Sequence, residues 1–212
     1  MAGERGPARL GEMRVIGIVG PAGSGKSTVA RCLEGQPGVA RLDCDELAWE
    51  TYRPGRPAYS GLVAAFGEGV LASDGTVDRK RLAAAALSSS QGRHTLERIV
   101  HPEVMAAVAR AVAEHAAKGT KWLLVEGALL LASPHVDRSL FDAFLWIEVP
   151  ISERRRRLVE AGLNAGTVEG RLAAQRDLAP PSDERVYLLD GRGSPEDVAR
   201  RARALLDRIG SA

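Results

Sequence analysis

The chain has 212 residues, with 29 Lys+Arg against 27 Asp+Glu, a formal net charge of +2. That length is one domain with room for an insertion or a lid, and it can bury a core without disulfide staples. The near-neutral balance argues against a dedicated nucleic-acid binder, and 4% aromatics leave few platforms for stacked bases. At 45% hydrophobic and 26% charged, the composition is that of a globular protein. Two cysteines, Cys32 and Cys44, fit a reducing, cytoplasmic compartment and read as small buried hydrophobes. No run approaches ~18 apolar residues, so no membrane span is expected. Met1 to Glu12 reads as a flexible tail without an apolar signal core, and Met13 is a second candidate start.

In chain order, Val15-Ile-Gly-Ile-Val19 is a β-branched run that reads as a buried parallel strand. A glycine-rich turn follows, then a helix from Lys26 to Leu33. Val39 to Leu42 reads as a second strand, ending at Asp43-Cys44-Asp45. Residues 46–120 are mostly helical, with turns at Arg53-Pro54-Gly55 and Ser73-Asp74-Gly75. Val104, Val108 and Val112 place a helix over Glu103–Lys118. Trp122–Val125 is a third strand, closed by Glu126, and Ala143–Ile147 a fourth. Ser152 is positioned to cap a helix carrying Arg154 to Arg157, and Thr167–Asp177 is another helix. Val186–Leu189 is a fifth strand. Ser194-Pro195-Glu196 opens a closing helix with a cap, a proline at its first position and acids in its first turn. Short apolar strands alternating with helices specify an α/β fold with a parallel, doubly wound sheet, which binds ligands at the carboxyl ends of its strands.

Gly20-Pro-Ala-Gly-Ser-Gly-Lys-Ser27 matches G-x-x-x-x-G-K-[ST] without deviation, with a strand before it and a helix after it. Glycines at these positions let successive backbone N–H groups turn inward around phosphate oxygens, and the helix start adds its positive dipole end. Gly23, Ser24 and Gly25 belong to that cradle. Lys26 supplies an ammonium to the β and γ phosphates, Ser27 a hydroxyl to Mg²⁺, and Thr28 further hydrogen bonding. ATP and Mg²⁺ are therefore the expected cofactors. No Asn-Lys-x-Asp guanine-reading motif accompanies the loop. A helical insertion after the second strand and an Arg-rich helix after the fourth point to a small-molecule kinase in a P-loop NTPase fold.

The order of local patterns resembles dephospho-coenzyme A kinase, from about Arg14 to Ile209. After the P-loop come Leu42-Asp43-Cys44-Asp45-Glu46-Leu47-Ala48, Phe66-Gly67, Asp74-Gly75-Thr76-Val77-Asp78-Arg79 with Leu82, and Leu96-Glu97-x-x-x-His101-Pro102. Glu126-Gly-Ala-Leu129-Leu130 and Arg171-x-x-x-Gln175 follow in the family's order. The chain departs from the pattern at Ala128, Ala132 and Gly191, and around Glu160-Ala161 where a lid arginine is expected. The resemblance implies a three-layer fold with core 13–45, 121–150 and 183–212, an acceptor-binding insertion over 46–120 and a lid over 151–182. It implies ATP-dependent phosphorylation of the 3′-hydroxyl of dephospho-coenzyme A, in a cytoplasmic monomer or weak homo-oligomer that uses neither nucleic acid nor membrane. Two other readings remain: the same chemistry on a nucleoside or nucleoside monophosphate, and an ATP-binding regulator that has lost turnover.

Asp45, at the end of the second strand, is the candidate general base; the plain alternative is a solvated or capping carboxylate. Asp43, two residues earlier in extended chain, would share its face, as a second-choice base or an indirect Mg²⁺ partner. Glu126 ends an apolar strand where P-loop enzymes hold Mg²⁺ or its waters, and is otherwise a strand-end charge. Arg79 opens a basic run and His101 precedes a proline at a helix start. Under the resemblance both line the acceptor site, and otherwise they are a solvated helix start and a structural histidine. Arg154 and Arg157 share a helix face and are placed to neutralise transition-state charge from a lid. Arg171 and Gln175 fall at i, i+4. Trp122 and Trp146 read as core, with Trp49 and Tyr59 as exceptions in the acceptor region.

Overall fold

The computed structural model describes residues 13–211; the expected tail, Met1 to Glu12, lies outside the described residues. Five parallel strands run in the order β2-β3-β1-β4-β5. They are β1 (Arg14–Val19), β2 (Val39–Asp43), β3 (Trp122–Glu126), β4 (Ala143–Glu148) and β5 (Val186–Asp190). β1, β3 and β4 are buried almost throughout, as their continuous apolar runs require. The P-loop fold expected from the sequence is the fold observed.

Two compact units divide the chain. Among the described residues, one comprises 13–43, 112–133 and 138–211, the other 44–111 and 134–137. In the first, one face of the sheet buries Ile16, Ile18, Leu124, Leu145 and Ile147 against α1 (Lys26–Glu34) and α8 (Pro195–Gly210). Val29 and Leu33 come from α1, and Val198, Ala202 and Leu206 from α8. Ser194 caps α8 by accepting from the Asp197 N–H, with Pro195 in the first turn, as its sequence specifies. Trp122 and Trp146 are core residues. Cys32 is not: it is exposed and Cys44 is half-buried. The buried face of α1 is the Val29, Ala30, Leu33 stripe, and Cys32 falls off it.

The second unit holds α2 (Cys44–Thr51), α3 (Pro57–Phe66), α4 (Arg79–Leu87) and the first part of α5 (Ser90–Ala117). Ala58, Leu62, Val70, Leu82 and Ala86 are buried there, and Asp78 caps α4 by accepting from the Lys80 and Arg81 N–H groups. Two sequence expectations change here. α5 begins at Ser90 and runs through Pro102, so His101 lies inside a helix and not at its start. Proline removes one ladder donor, but Val100, Val104, Met105 and Val108 form a buried stripe on both sides of it, and that burial carries the helix across. α2 starts directly after Asp43, so Asp45 sits in a first helical turn, where a carboxylate is favoured by the dipole. Asp43 is extended and Asp45 helical, so the shared face expected for them does not form.

Candidate active site

The turn from Gly20 to Gly25 joins the central strand β1 to α1, at the carboxyl edge of the sheet. Gly23 has φ +78°, a left-handed conformation, and a Cβ there would lie 2.6 Å from the Arg154 carbonyl oxygen. Only glycine fits both conditions. Lys26 Nζ donates to the carbonyls of Gly20 at 2.9 Å and Pro21 at 3.3 Å, so its ammonium is held against the start of the turn. The Ala22 N–H donates to Gln175 Oε1 at 2.5 Å. Gln175 is the residue that ends α7 (Ala165–Ala174), outside its last turn. The i, i+4 face expected for Arg171 and Gln175 is therefore broken: Arg171 is exposed on α7 while Gln175 turns to the phosphate loop. Thr28 is exposed, and Ser24 Oγ is buried without a hydrogen-bond partner.

α6 (Ile151–Glu160) supplies four arginines with two distinct jobs. Its N-cap is Pro150, with no side-chain cap, so Ser152 does not cap it; the helix starts two residues earlier than a Ser152 cap allows. Arg154 and Arg157, one turn apart, both reach the phosphate loop. Arg154 Nε donates to the Ala22 carbonyl at 2.9 Å, and Arg157 Nη1 to the Ser24 carbonyl at 3.1 Å. Arg157 Nη2 also donates to Gly191 at 2.8 Å. Arg154 is 7% exposed, and its Nη2 is buried with no partner. Arg155 pairs with Glu169 at 2.8 Å, and Arg156 with Glu153 and Glu160, each at 2.5 Å. The carboxylates offset the clustered positive charge, and hydrogen bonds from Arg156 and Arg157 hold the Glu153 carboxyl down at about 2.

Two carboxylates stand at neighbouring strand ends. Asp43 of β2 is the register partner of Glu126 of β3. Glu126 is only 3% exposed. Burial pushes its carboxyl up, hydrogen bonds from Ser27 and Arg41 pull it back, and Asp43 pushes in the same direction as burial. Arg41 Nη1 lies 2.5 Å from Glu126 and 3.4 Å from Asp43, and its Nε lies 3.2 Å from Glu34 of α1. Arg41 was not legible as a site residue in the sequence, because it sits mid-strand with no motif around it. Among the described residues no group of three or more His, Cys, Asp or Glu is placed to hold a metal ion alone. The Ser27 hydroxyl with the Glu126 and Asp43 carboxylates is a hard-oxygen set of the kind that shares Mg²⁺ with substrate phosphates.

The second unit gathers the remaining candidates into two groups. The Arg79 guanidinium lies 3.7 Å over the Trp49 ring. Tyr52 is beside them: burial pushes its phenol up to about 12, with Arg79 opposing and Asp45 reinforcing that shift. Asp45 and Arg79, 34 positions apart in sequence, thus act on one buried tyrosine. Tyr59 donates to the Gly75 carbonyl at 2.7 Å, bracing the turn before α4. In the other group, His101 meets the His135 ring edge-on at 6.1 Å between centroids. Burial lowers the His101 pKa, Glu97 opposes that, and His135 adds to it.

A dephospho-CoA kinase family model matches residues 14–190. A dephospho-CoA kinase of Geobacter sulfurreducens is 37% identical over 191 residues, covering 89% of this chain and 95% of the relative. One from Corynebacterium glutamicum is 37% identical over 202 residues, covering 93% and 100%. The crystal structure of TT1252 from Thermus thermophilus is 31% identical, with a TM-score of 0.68 over 93% of this chain and 98% of that one. A dephospho-CoA kinase from Campylobacter jejuni, 17% identical with a TM-score of 0.56, covers 95% of this chain and shares its fold.

Proposed function

We propose how the residues above divide one reaction in this chain, which belongs to the dephospho-CoA kinase family. The chain is an ATP-dependent kinase that phosphorylates the 3′-hydroxyl of dephospho-CoA, giving coenzyme A and ADP. The match over residues 14–190, which takes in the phosphate turn and Glu126, carries this reading. A bond forms between the ribose 3′-oxygen and the γ-phosphorus, the bond from that phosphorus to the β–γ bridging oxygen breaks, and ADP leaves.

Asp45 accepts the hydroxyl proton; a positioned base of this kind contributes about 10²–10⁴-fold. The backbone N–H groups of Gly23 to Thr28 hold the nucleotide phosphates. Lys26, Arg154 and Arg157 neutralise charge on the transferring group, the largest part of catalysis in phosphoryl transfer. The buried Ser24 Oγ and Arg154 Nη2, which lack protein partners, support this assignment: polar hydrogens left unpaired beside a phosphate loop are suited to anionic oxygens. Ser27, Glu126 and Asp43 would hold Mg²⁺ directly or through water, and the ion would supply charge neutralisation between the phosphates. Arg79, with His101 and Arg171, contacts the acceptor; a guanidinium fork suits its phosphate groups. ATP and dephospho-CoA are the chain's partners, and the cytoplasm its location.

A coupled ADP-release assay with dephospho-CoA, CMP, uridine or no acceptor tests the reading. Dephospho-CoA should stimulate turnover, and ³¹P NMR should show a new 3′-phosphomonoester. Stimulation by CMP alone would overturn it.

A further inference from the structure

We infer that Arg41 is a resident counter-cation for the strand-end carboxylates, and that it makes divalent-ion uptake wait for the nucleotide. This rests on the reading that Glu126 and Asp43 serve Mg²⁺.

β2 and β3 are adjacent and parallel, and their register sets Asp43 against Glu126. Two carboxylates so placed repel one another unless a cation joins them. Arg41 is two residues before Asp43, so it leaves the strand on the same face. Its Nη1 lies 2.5 Å from Glu126 and 3.4 Å from Asp43. The Arg41 and Glu126 side chains are 15% and 3% exposed, so water screens their attraction weakly. A divalent ion at Glu126 would compete for a carboxylate that the guanidinium already neutralises through one of its oxygens.

The Nε contact to Glu34 at 3.2 Å adds the second half of the argument. A guanidinium anchored on α1 can give up Glu126 without being left as an unpaired charge. Mg²⁺ is usually held by one or two carboxylates together with substrate phosphates. Against Arg41 alone a hydrated divalent ion has little advantage. An ion that arrives with phosphate ligands brings further bonds and takes the carboxylate, while Arg41 falls back on Glu34. Arg41 is thus a positioning residue, acting through Glu126.

The test is Mn²⁺ binding to the nucleotide-free protein at pH 8, read from the EPR signal of free Mn²⁺. Wild type should bind weakly. Arg41→Leu should bind at least about tenfold more tightly, because a full positive charge next to the ion is gone. Arg41→Gln carries the same expectation if the leucine variant fails to fold. Arg41→Lys, which keeps a cation, should stay near wild type. Arg41→Leu combined with Glu126→Gln should lose the gain. Unchanged affinity in the leucine and glutamine variants overturns the inference, as does a gain that survives Glu126→Gln. The parent reading fails separately, if Glu126→Gln alone leaves Mn²⁺–ATP affinity and turnover as in wild type.

Discussion

Gly23→Ala is the sharpest probe of the phosphate loop, because two costs combine there and can be separated. At φ +78° an alanine pays a left-handed backbone penalty of about 1–2 kcal/mol. Its methyl would also sit 2.6 Å from the Arg154 carbonyl oxygen, 3.0 Å from the Arg154 Cα and 3.1 Å from its carbonyl carbon. Those are backbone atoms of α6 that no rotamer change can clear, so the helix must shift. Overpacking of this kind costs about 1–3 kcal/mol more. Gly162→Ala is the control: its φ is +82° and nothing lies within 4 Å of its Cβ position, so it carries the first cost alone. Differential scanning fluorimetry of both variants, with and without Mg²⁺–ATP, reads the difference. Each kcal/mol corresponds to about 2–4 °C in a chain of this size. Gly23→Ala should melt lower than Gly162→Ala, and its ATP-induced rise should shrink, because moving α6 loosens the Arg154 bond to Ala22 and the Arg157 bond to Ser24. A Gly23→Ala variant that melts with Gly162→Ala and keeps the whole ATP shift would refute the close-approach argument.

Asp45→Asn should bind ATP as wild type does in equilibrium titration, yet turn over at least ~100-fold slower; near-normal turnover would remove Asp45 as the base. Gln175→Ala deletes the acceptor for the Ala22 N–H and leaves that donor unpaired. ATP KM should rise about tenfold, the equivalent of roughly one lost hydrogen bond, with a smaller change in the acceptor KM. His101 has its pKa lowered by burial, with Glu97 opposing and His135 reinforcing the shift. The unfolded chain therefore takes up a proton at this site at higher pH than the folded chain does. Stability from this group is whole above the ordinary histidine pKa of ~6.5 and declines as pH falls from there toward the lowered native value. Urea titrations from pH 7.5 to 5 should show that decline, and His101→Gln should flatten it; an unchanged slope would remove His101 as its source.

The fold was legible because its signals are local. β1, β3 and β4 are continuous apolar runs, and a parallel sheet buried on both faces gives strands of that kind. The cap of α8 lies within four consecutive residues and was read directly. Boundaries failed where packing overruled a local rule. Pro102 suggested a helix start, but the apolar stripe from Val100 to Val108 extends α5 across it. Asn164, whose side chain accepts from the Thr167 N–H, sets the start of α7 before the expected Thr167.

The site divides the same way, by how far apart in sequence its parts lie. The phosphate turn is eight consecutive residues whose types follow from backbone geometry, so it could be read whole. Arg154 and Arg157 were legible as a pair because one helical turn separates them. Their partners were not, since the carbonyls of Ala22 and Ser24 are backbone atoms that every residue type supplies. The Ala22–Gln175 bond spans 153 residues and the Arg41–Glu126 bond spans 85. An arginine in the middle of a short strand reads as an edge position facing solvent. Only the pairing of β2 with β3 turns it toward a buried glutamate, and strand order is fixed by the packing of the whole sheet. Charge at this site therefore has two origins. The turn and the α6 arginines are written locally, whereas the cation between the carboxylates exists only once the sheet is assembled.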